Sequence, residues 1–219
     1  MNQREVWENI APEFDKYRTH PTKDSVSFLE NKKGMILDLA CGSGRNFIKT
    51  DGTIVGIDFS LSMVRMAAKK SKKKNLELLL ACGDALHLPF LDSSFDNIHF
   101  SSSFHCIKWN HRNKILEEIG RVAKEGALVF ISVWNRDQPR FAGAKKESFI
   151  PWKSKSKVYK RYYYLYDKDE LQSLLNKYFS NVRVFYSSDK AFKKYPKNII
   201  AIARVAKHGQ RRKISQGEA

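Results

Sequence analysis

The chain has 219 residues, of which 42% are hydrophobic and 12% are aromatic, so it is long and apolar enough to bury a substantial core. This composition excludes a wholly disordered chain. A total of 40 Lys and Arg residues against 23 Asp and Glu residues gives a formal net charge of +17, which favours a polyanionic partner, with general solubility as the alternative.

The three cysteines, Cys41, Cys82 and Cys106, are too few and too widely spaced for a disulfide framework or a CxxC metal site. They predict a reducing compartment. The sequence has no apolar segment typical of an export signal and no run of about 18 apolar residues that would span a membrane. We therefore expect a cytoplasmic protein without a metal site and without membrane contact.

Short apolar runs alternate with helical patterns along most of the chain. A first helix is predicted over 4–18, where apolar residues recur at helical spacing. Further helices are predicted over 60–73, 113–124 and 167–179, with Ser60 and Asp167 as N-caps and Gly126 as the end of the third. Strands are predicted over 35–40, 53–58, 76–81, 95–101 and 127–134, followed by a closing antiparallel pair at 181–188 and 198–205. Strands that alternate with helices predict a doubly wound, mostly parallel sheet with helices on both faces.

Two segments interrupt this alternation. Residues 135–166 are polar and basic and are predicted to form an insertion after the fifth strand, and WKSKSK within it, residues 152–157, is expected to be an RNA-facing loop. The segment from 207 to 219 lacks periodicity and is predicted to be a disordered basic tail. The remaining 1–206 are expected to form a single domain.

The segment LDLACGSGRNF, residues 37–47, leads out of the first predicted strand. Gly42 and Gly44 would let the backbone approach a ligand and would present N–H groups at the start of a helix. A dinucleotide-binding fingerprint requires a third glycine where this chain has Phe47, so NAD is a poor candidate.

Two carboxylates follow the next strands. Asp58 ends the second strand and is suited to accept hydrogen bonds from ribose hydroxyls, and Asp84 follows the third strand, where it could accept from the amino group of an adenine. Because open α/β sheets bind ligands at the carboxyl ends of their strands, the ordered set predicts a nucleoside-containing cofactor.

Over roughly residues 30–135 the sequence resembles the class I S-adenosylmethionine-dependent methyltransferases, through DLACGSG, VGIDFS and GDALHLPF. The resemblance implies a Rossmann-like, seven-stranded sheet with an antiparallel last strand. It also implies S-adenosylmethionine as cofactor and S-adenosylhomocysteine as product. The residues that it assigns to the cofactor are Asp38, Gly42, Gly44, Asp58, Phe59, Asp84, Ala85 and Ser101.

Two classes of nucleic-acid methyltransferase are disfavoured by absent motifs. Enzymes that methylate exocyclic amines typically carry (N/D)PP(Y/F) after the fourth strand, where this chain reads SSSFHCIKW. Enzymes that methylate C5 of pyrimidines use a cysteine that follows a proline, and none of the three cysteines does so.

Segments along most of residues 5–175 resemble a narrower family, the tRNA methyltransferases that esterify 5-carboxymethyluridine at the wobble position, a domain also found fused to an AlkB-type hydroxylase. The segments are ENIAPEFDKYR, FDNIHFSSSFHCI, VWNRDQPRF, FIPWK and RYYYLYDKDEL. That family commonly has a His-His pair after strand four, whereas here Cys106 follows His105, so only His105 retains that role. The resemblance implies methyl transfer to a carboxylate at the wobble position of the tRNA anticodon loop.

A carboxylate is already ionised at pH 7 and can attack the methyl group without a general base. Arg18 is expected to clamp that carboxylate or a nearby phosphate, and His105 to orient the acceptor. Ordinary solvated or core roles are the alternatives for both. The residues predicted to bind the RNA substrate are Arg136, Arg140, Lys153, Arg161 and Tyr163.

The narrower family commonly needs a small zinc-binding activator protein that pairs along the sheet edge, and Leu76–Cys82 is the candidate edge strand, with ordinary burial as the alternative. Two other functions remain open. One is methylation of a small metabolite such as a quinone precursor, which the basic insertion disfavours. The other is a non-catalytic RNA-binding module, which the complete set of cofactor residues disfavours.

Overall fold

The structure is a computed structural model that describes residues 2–154, 156–188, 190–191 and 195–206. The predicted tail and Lys155 of the insertion lie outside the described residues. The helices are α1 (Gln3–Lys16), α2 (Lys23–Leu29), α3 (Leu61–Lys73), α4 (Arg112–Val122) and α5 (Lys168–Leu175). The strands are β1 (Met35–Leu39), β2 (Thr53–Asp58), β3 (Leu79–Cys82), β4 (Phe95–Ser101), β5 (Ala123–Trp134), β6 (Glu147–Ser154), β7 (Lys157–Tyr164), β8 (Ser180–Tyr186), β9 (Lys190–Ala191), β10 (Tyr195–Pro196) and β11 (Asn198–Arg204).

Seven strands form one sheet in the order β3-β2-β1-β4-β5-β11-β8. The pairs from β3 to β5 are parallel, and β11 runs antiparallel to both β5 and β8. This confirms the predicted doubly wound sheet with an antiparallel last strand. The chain order reverses at β1, which has β2 on one side and β4 on the other, and ligands of such sheets bind at that point.

Both faces of the sheet are buried, which is why the central strands are almost continuously apolar in sequence. Leu37 and Leu39 of β1 face the larger core with α4 and α5, whereas Ile36 faces a smaller core with Phe28 and Phe130. The side-chain alternation of a strand therefore divides β1 between two hydrophobic layers.

The amino-terminal segment differs from its prediction in two ways. Helix α1 ends at Lys16 with Tyr17 as its cap, so Arg18 follows the helix and does not belong to it. Helix α2 was not predicted. It begins after Thr22, whose side chain accepts a hydrogen bond from the backbone N–H of Ser25. Seven residues give too short a pattern for helical spacing to be recognised.

The predicted helix boundary at Gly126 is wrong. Helix α4 ends at Val122, and β5 begins directly at Ala123. Gly126 has a φ of +76° at an irregularity, where the β4–β5 pairing shifts between Phe95 and Asn97. The glycine therefore provides a positive φ for a bulge inside a strand and does not end a helix.

The basic insertion contains a β-hairpin. Strands β6 and β7 pair in antiparallel register from Glu147 opposite Tyr164 to Ser154 opposite Lys157, so WKSK of the predicted loop lies mostly in β6. The hairpin packs on α1, where the Gln3 side chain bonds to the backbone of Lys160 and Tyr162.

Within β7 and the residues after it, Tyr162, Tyr164 and Tyr166 enter the main core, whereas Tyr163 and Leu165 enter a separate cluster with Trp134.

Three smaller boundaries also shift. Asp167 caps α5 as predicted, since its side chain accepts from the N–H of Glu170, but the helix ends at Leu175 and not at 179. Strand β3 begins at Leu79, later than predicted, because Leu76 still bonds to the end of α3 through Ser71. Within the described part of the chain, no helix has the length and apolar character needed to cross a bilayer.

Candidate active site

A cleft opens at the carboxyl ends of β1, β4 and β5. Six residues predicted from the sequence line it: Asp38, Gly42, Ser101, Arg18, His105 and Tyr163. A second depression of about 420 Å³ beside β8 and β11 has neither a glycine turn nor a carboxylate in its lining, so the cleft is the better candidate.

The glycine-rich segment forms a series of turns after β1 and not the helix start that was predicted. Gly44 has a φ of +73°, and a Cβ atom there would lie 2.5 Å from the Phe47 ring. Gly42 has a φ of +55°, and a Cβ atom there would meet nothing within 4 Å. Gly44 therefore permits the turn to pack on the protein, whereas Gly42 faces open space beside which a ligand can approach the backbone.

Asp58 joins the glycine turn to the end of β2. Its Oδ2 accepts from the N–H of Gly42 and its Oδ1 accepts from the N–H of Ser60, each at 2.9 Å. Burial raises the pKa of Asp58 to about 6, and the two N–H donors oppose that shift. Because a carboxylate has about four lone-pair sites, two remain for hydroxyl donors. The open backbone at Gly42 and the incompletely used Asp58 fit a ribose-containing cofactor.

Asp38 lies at the floor of the cleft and belongs to a buried hydrogen-bonded chain. Its Oδ1 is 2.8 Å from Nδ1 of His99, and Nε2 of His99 is 2.9 Å from Oγ of Ser25. The Ser25 hydroxyl in turn donates to Ser101 at 3.2 Å. These hydrogen bonds connect α2 with two predicted cofactor residues, Asp38 and Ser101, through His99 and Ser25, neither of which was predicted. A polar residue inside the apolar run FDNIHFS was the available signal for His99.

Phe59, Asp84 and Ala85 lie to one side of the cleft and do not line it. Strand pairing places Asp58 opposite Cys82, so Phe59 and Asp84 follow neighbouring strands at the same edge of the sheet. Asp84 is exposed and its Oδ1 accepts from the N–H of Leu86.

His105 lies at the opposite end of the cleft and is 1% exposed. Its ring packs against both Trp134 and Tyr163, with centroids 5.1 and 5.2 Å away. Burial, together with the nearby guanidinium groups of Arg140, Arg161 and Arg18, lowers the pKa of His105 to about 3. The imidazole is therefore neutral. Since its Nδ1 accepts from the N–H of Trp134 at 3.3 Å, the proton is on Nε2.

Three arginines surround this histidine. Arg18 lines the cleft, and burial together with the like charge of Arg161 lowers its pKa. Arg140 lies over the Trp134 ring at 4.3 Å, and Arg161 donates from Nη1 to the Tyr163 hydroxyl at 2.8 Å. No ion pair joins any of the three to a carboxylate among the residues that the structure describes. This end of the cleft therefore has an excess of positive charge and suits an anion.

The structure separates the predicted substrate residues. Tyr163 lines the cleft, and Arg140 and Arg161 contact the aromatic side chains of its wall. Arg136 and Lys153 do not line it, and Lys153 is exposed on β6. Trp134 and Asn198 also line the cleft but were missed, because β11 reaches β5 only in the folded chain.

The model of a methyltransferase-domain family matches residues 36–126. A protein of Encephalitozoon cuniculi named "Putative methyltransferase" is 31% identical over 179 residues, which cover 77% of this chain and 81% of that protein. The tRNA (carboxymethyluridine(34)-5-O)-methyltransferase of Arabidopsis thaliana is 31% identical over 137 residues, 61% of this chain and 32% of that protein. The chain thus spans about a third of the length of such tRNA methyltransferase relatives.

The demethylmenaquinone methyltransferase of Lactiplantibacillus plantarum is 29% identical over 156 residues, which cover 63% of this chain and 65% of that enzyme. Among solved structures, the chain is similar to the complex between the Haloferax volcanii Trm112 methyltransferase activator and a methyltransferase, with a TM-score of 0.65 and 17% identity. That match covers 94% of this chain and 97% of the other, and at this identity it shows a common fold.

Proposed function

This chain belongs to the class I S-adenosylmethionine-dependent methyltransferases, and from that premise we propose that it methylates the carboxylate of a 5-carboxymethyl-type uridine at the wobble position of tRNA. The similarity to an enzyme named for carboxymethyluridine supports the acceptor. The observation that carries the proposal is the grouping of Arg18, Arg140 and Arg161 around His105 without a carboxylate partner among the described residues.

We assign the cofactor to the other end of the cleft. Gly42 would lie beside the methionyl part, with Asp38 and Ser101 below it, and Asp58 would accept from the ribose hydroxyls. Asp84, the N–H of Ala85 and the ring of Phe59 would contact the adenine from the neighbouring strand ends.

When bound, S-adenosylmethionine supplies a methyl group on a positively charged sulfur, and the C–S electron pair remains on sulfur as the carboxylate oxygen forms the ester bond. The residues of this chain need only position the acceptor, because the nucleophile is ionised at pH 7. Arg18 would hold one carboxylate oxygen through its planar fork. The neutral His105 would donate a hydrogen bond from Nε2 to the acceptor. It would add no positive charge beside the ester, which is itself neutral.

The RNA would lie across the β6–β7 hairpin. Lys153, Lys157 and Lys160 are exposed on it, and phosphate contacts from such residues would make the affinity decrease with salt. Lys146 is unsuited to this role, since it already forms ion pairs with Asp167 and Glu170.

The test is to incubate the chain with methyl-labelled S-adenosylmethionine and tRNA that carries 5-carboxymethyluridine. Digestion to nucleosides and mass spectrometry would identify the product, and mild alkali should release the label because a methyl ester hydrolyses readily. Label that resists alkali, or that appears equally in tRNA lacking the carboxymethyl group, would refute the acceptor.

Two arginine variants sharpen this test. Arg18→Ala is expected to lower kcat/KM by about 100-fold or more, because it removes a charge-assisted contact to the acceptor. The matched control is Arg65→Ala, whose arginine is exposed on α3 and is not among the residues that line the cleft. Equal losses in the two variants would contradict the clamp.

Methylation of a small quinone precursor is the second candidate, because the demethylmenaquinone methyltransferase matches 63% of this chain. The two acceptors separate by solvent extraction: a methylated quinone would carry the label into the organic phase, whereas tRNA would retain it in the aqueous phase. The arginine grouping favours the anionic acceptor.

We further propose a small zinc-binding activator protein as partner and the cytoplasm as the site of action. Strand β3 is at one end of the sheet, and Leu79 on it is 59% exposed. A partner strand would pair with that edge and cover the leucine. Co-expression with a Trm112-type activator should give a stable one-to-one complex, and Leu79→Lys should weaken it.

A further inference from the structure

Asn198 is a buried polar residue in the cleft for which neither the cofactor nor the acceptor carboxylate accounts. It is the first residue of β11, lies opposite Trp134 of β5 and is 3% exposed. Its Oδ1 has no hydrogen-bond partner in the part of the chain that the structure describes. A buried amide oxygen without a donor is unfavourable, so a donor from a bound molecule is the expected partner.

The position of Asn198 indicates the acceptor and not the cofactor as the source of that donor. The glycine turn follows β1, and both β4 and β5 lie between β1 and β11 in the sheet. The strand neighbour Trp134 stacks on Tyr163 at 4.3 Å and on His105 at 5.1 Å, which is the anion-binding end of the cleft.

The acceptor carboxylate is ionised and has no proton to donate, whereas the base that carries it offers a ring N–H. A uracil ring has one N–H, at N3, whereas a cytosine ring has a lone pair at that position. Enzymes that act on an extruded base commonly read this edge through hydrogen bonds. We propose that Asn198 is a specificity-determining residue that accepts a hydrogen bond from the ring N–H of the acceptor base and so selects uracil over cytosine.

This inference rests on the proposed function, and a double-mutant cycle between enzyme and substrate tests it. The enzymes are the wild type and Asn198→Leu. The substrates are a tRNA carrying 5-carboxymethyluridine and the same tRNA with the N3-methyl analogue, in which a methyl group replaces the N3 proton. We expect each single change to lower kcat/KM by about 10- to 100-fold and the two together to lower it little further, because they remove the same hydrogen bond.

Asn198→Asp provides a second variant that keeps an acceptor oxygen of similar size. It should retain the preference for the N3–H substrate, although its charge will lower kcat/KM on both by repelling the acceptor carboxylate. Calorimetric titration with S-adenosylhomocysteine should give the same Kd for all three enzymes and also shows that each is folded. A wild type that prefers neither substrate, equal losses on both substrates in Asn198→Leu, or a higher cofactor Kd in that variant would each overturn the inference.

The two hypotheses fail in different ways. A wild-type enzyme that methylates no RNA refutes the proposed function, and the role of Asn198 falls with it. A wild-type enzyme that methylates both RNAs at the same rate leaves the proposed function standing and refutes only the role of Asn198.

Discussion

His99 and Asp38 form a buried pair at the floor of the cleft, with Nδ1 of the imidazole 2.8 Å from Oδ1 of the carboxylate and side-chain exposures of 0% and 5%. They are strand partners on β4 and β1, and Phe130 stacks on the histidine with ring centroids 5.0 Å apart. The pair therefore holds a cofactor-side carboxylate in one orientation.

Replacing this histidine should weaken both the fold and cofactor binding. His99→Phe leaves Asp38 buried without its donor, and we expect the free energy of unfolding to fall by about 3 kcal/mol or more. The Kd for S-adenosylhomocysteine should rise by about tenfold, because Asp38 is no longer oriented. Urea denaturation and calorimetry measure the two effects.

Two variants accompany that measurement. His99→Asn keeps an N–H near the position of Nδ1 and should restore much of the cofactor affinity. If His99 had a purely structural role, His99→Asn and His99→Phe would bind S-adenosylhomocysteine with the same Kd under conditions where their stabilities are equal. His111→Phe is the matched control, since its histidine is exposed and makes no capping hydrogen bond. A His99→Phe enzyme with wild-type stability would contradict the role of the pair.

The sheet was predictable from sequence because β1 and β2 are largely apolar runs that carry an aspartate near their carboxyl ends. The same logic predicts Asp58 as a ligand-binding residue, and its hydrogen-bond partners are local in sequence or on the adjoining turn. The elements that were missed depend on tertiary contacts. Helix α2 is held by the buried Ser25, and Asn198 becomes part of the cleft only when β11 inserts between β5 and β8.

Cofactor affinity should depend on the ionisation of Asp58. Its pKa of about 6 is above the usual 3.8 of the unfolded state, mainly through burial and also through the carboxylates of Asp38 and Glu8. The contribution of Asp58 to the free energy of unfolding is therefore most favourable at low pH, and it is lost as pH rises from about 3.8 to about 6. Ribose hydroxyls bind the ionised form, so the Kd should rise about tenfold per pH unit below 6.

Calorimetric titrations between pH 5 and 8 test this dependence. Asp58→Asn should bind more weakly than the wild type at pH 8 and should show little change with pH. A wild-type Kd that is constant down to pH 5 would contradict the assignment of Asp58 to the ribose.

Gly44 and Gly126, which have similar positive φ angles, should differ in how much an added methyl group destabilises the protein. Gly44→Ala adds both a left-handed strain and a Cβ atom 2.5 Å from the Phe47 ring, whereas Gly126→Ala adds the strain alone, with nothing within 4 Å. We expect about 1 kcal/mol of destabilisation in Gly126→Ala and about 2–4 kcal/mol in Gly44→Ala. Equal losses in urea denaturation would show that the Phe47 contact relaxes freely.

His105 should act as a neutral donor throughout the physiological range. Its pKa of about 3 is far below the usual 6.5, so between these pH values the folded state binds fewer protons than the unfolded state. The free energy of unfolding therefore decreases as pH falls from about 6.5 toward 3. In contrast, His105 should not titrate near pH 6.5 in kcat/KM. The pH profiles of the wild type and of His105→Asn should therefore have the same shape in that range.

Asn at this position can still accept from the N–H of Trp134 but lacks the Nε2 proton. The variant should therefore keep the wild-type Kd for S-adenosylhomocysteine and lose about 10- to 100-fold in kcat/KM on tRNA. Tm measured by circular dichroism between pH 4 and 7 should fall less steeply with acid in His105→Asn than in the wild type, because the variant has no buried imidazole to protonate on unfolding. A variant with wild-type kcat/KM would show that Nε2 does not contact the acceptor, and the carboxylate would then depend on the arginines alone.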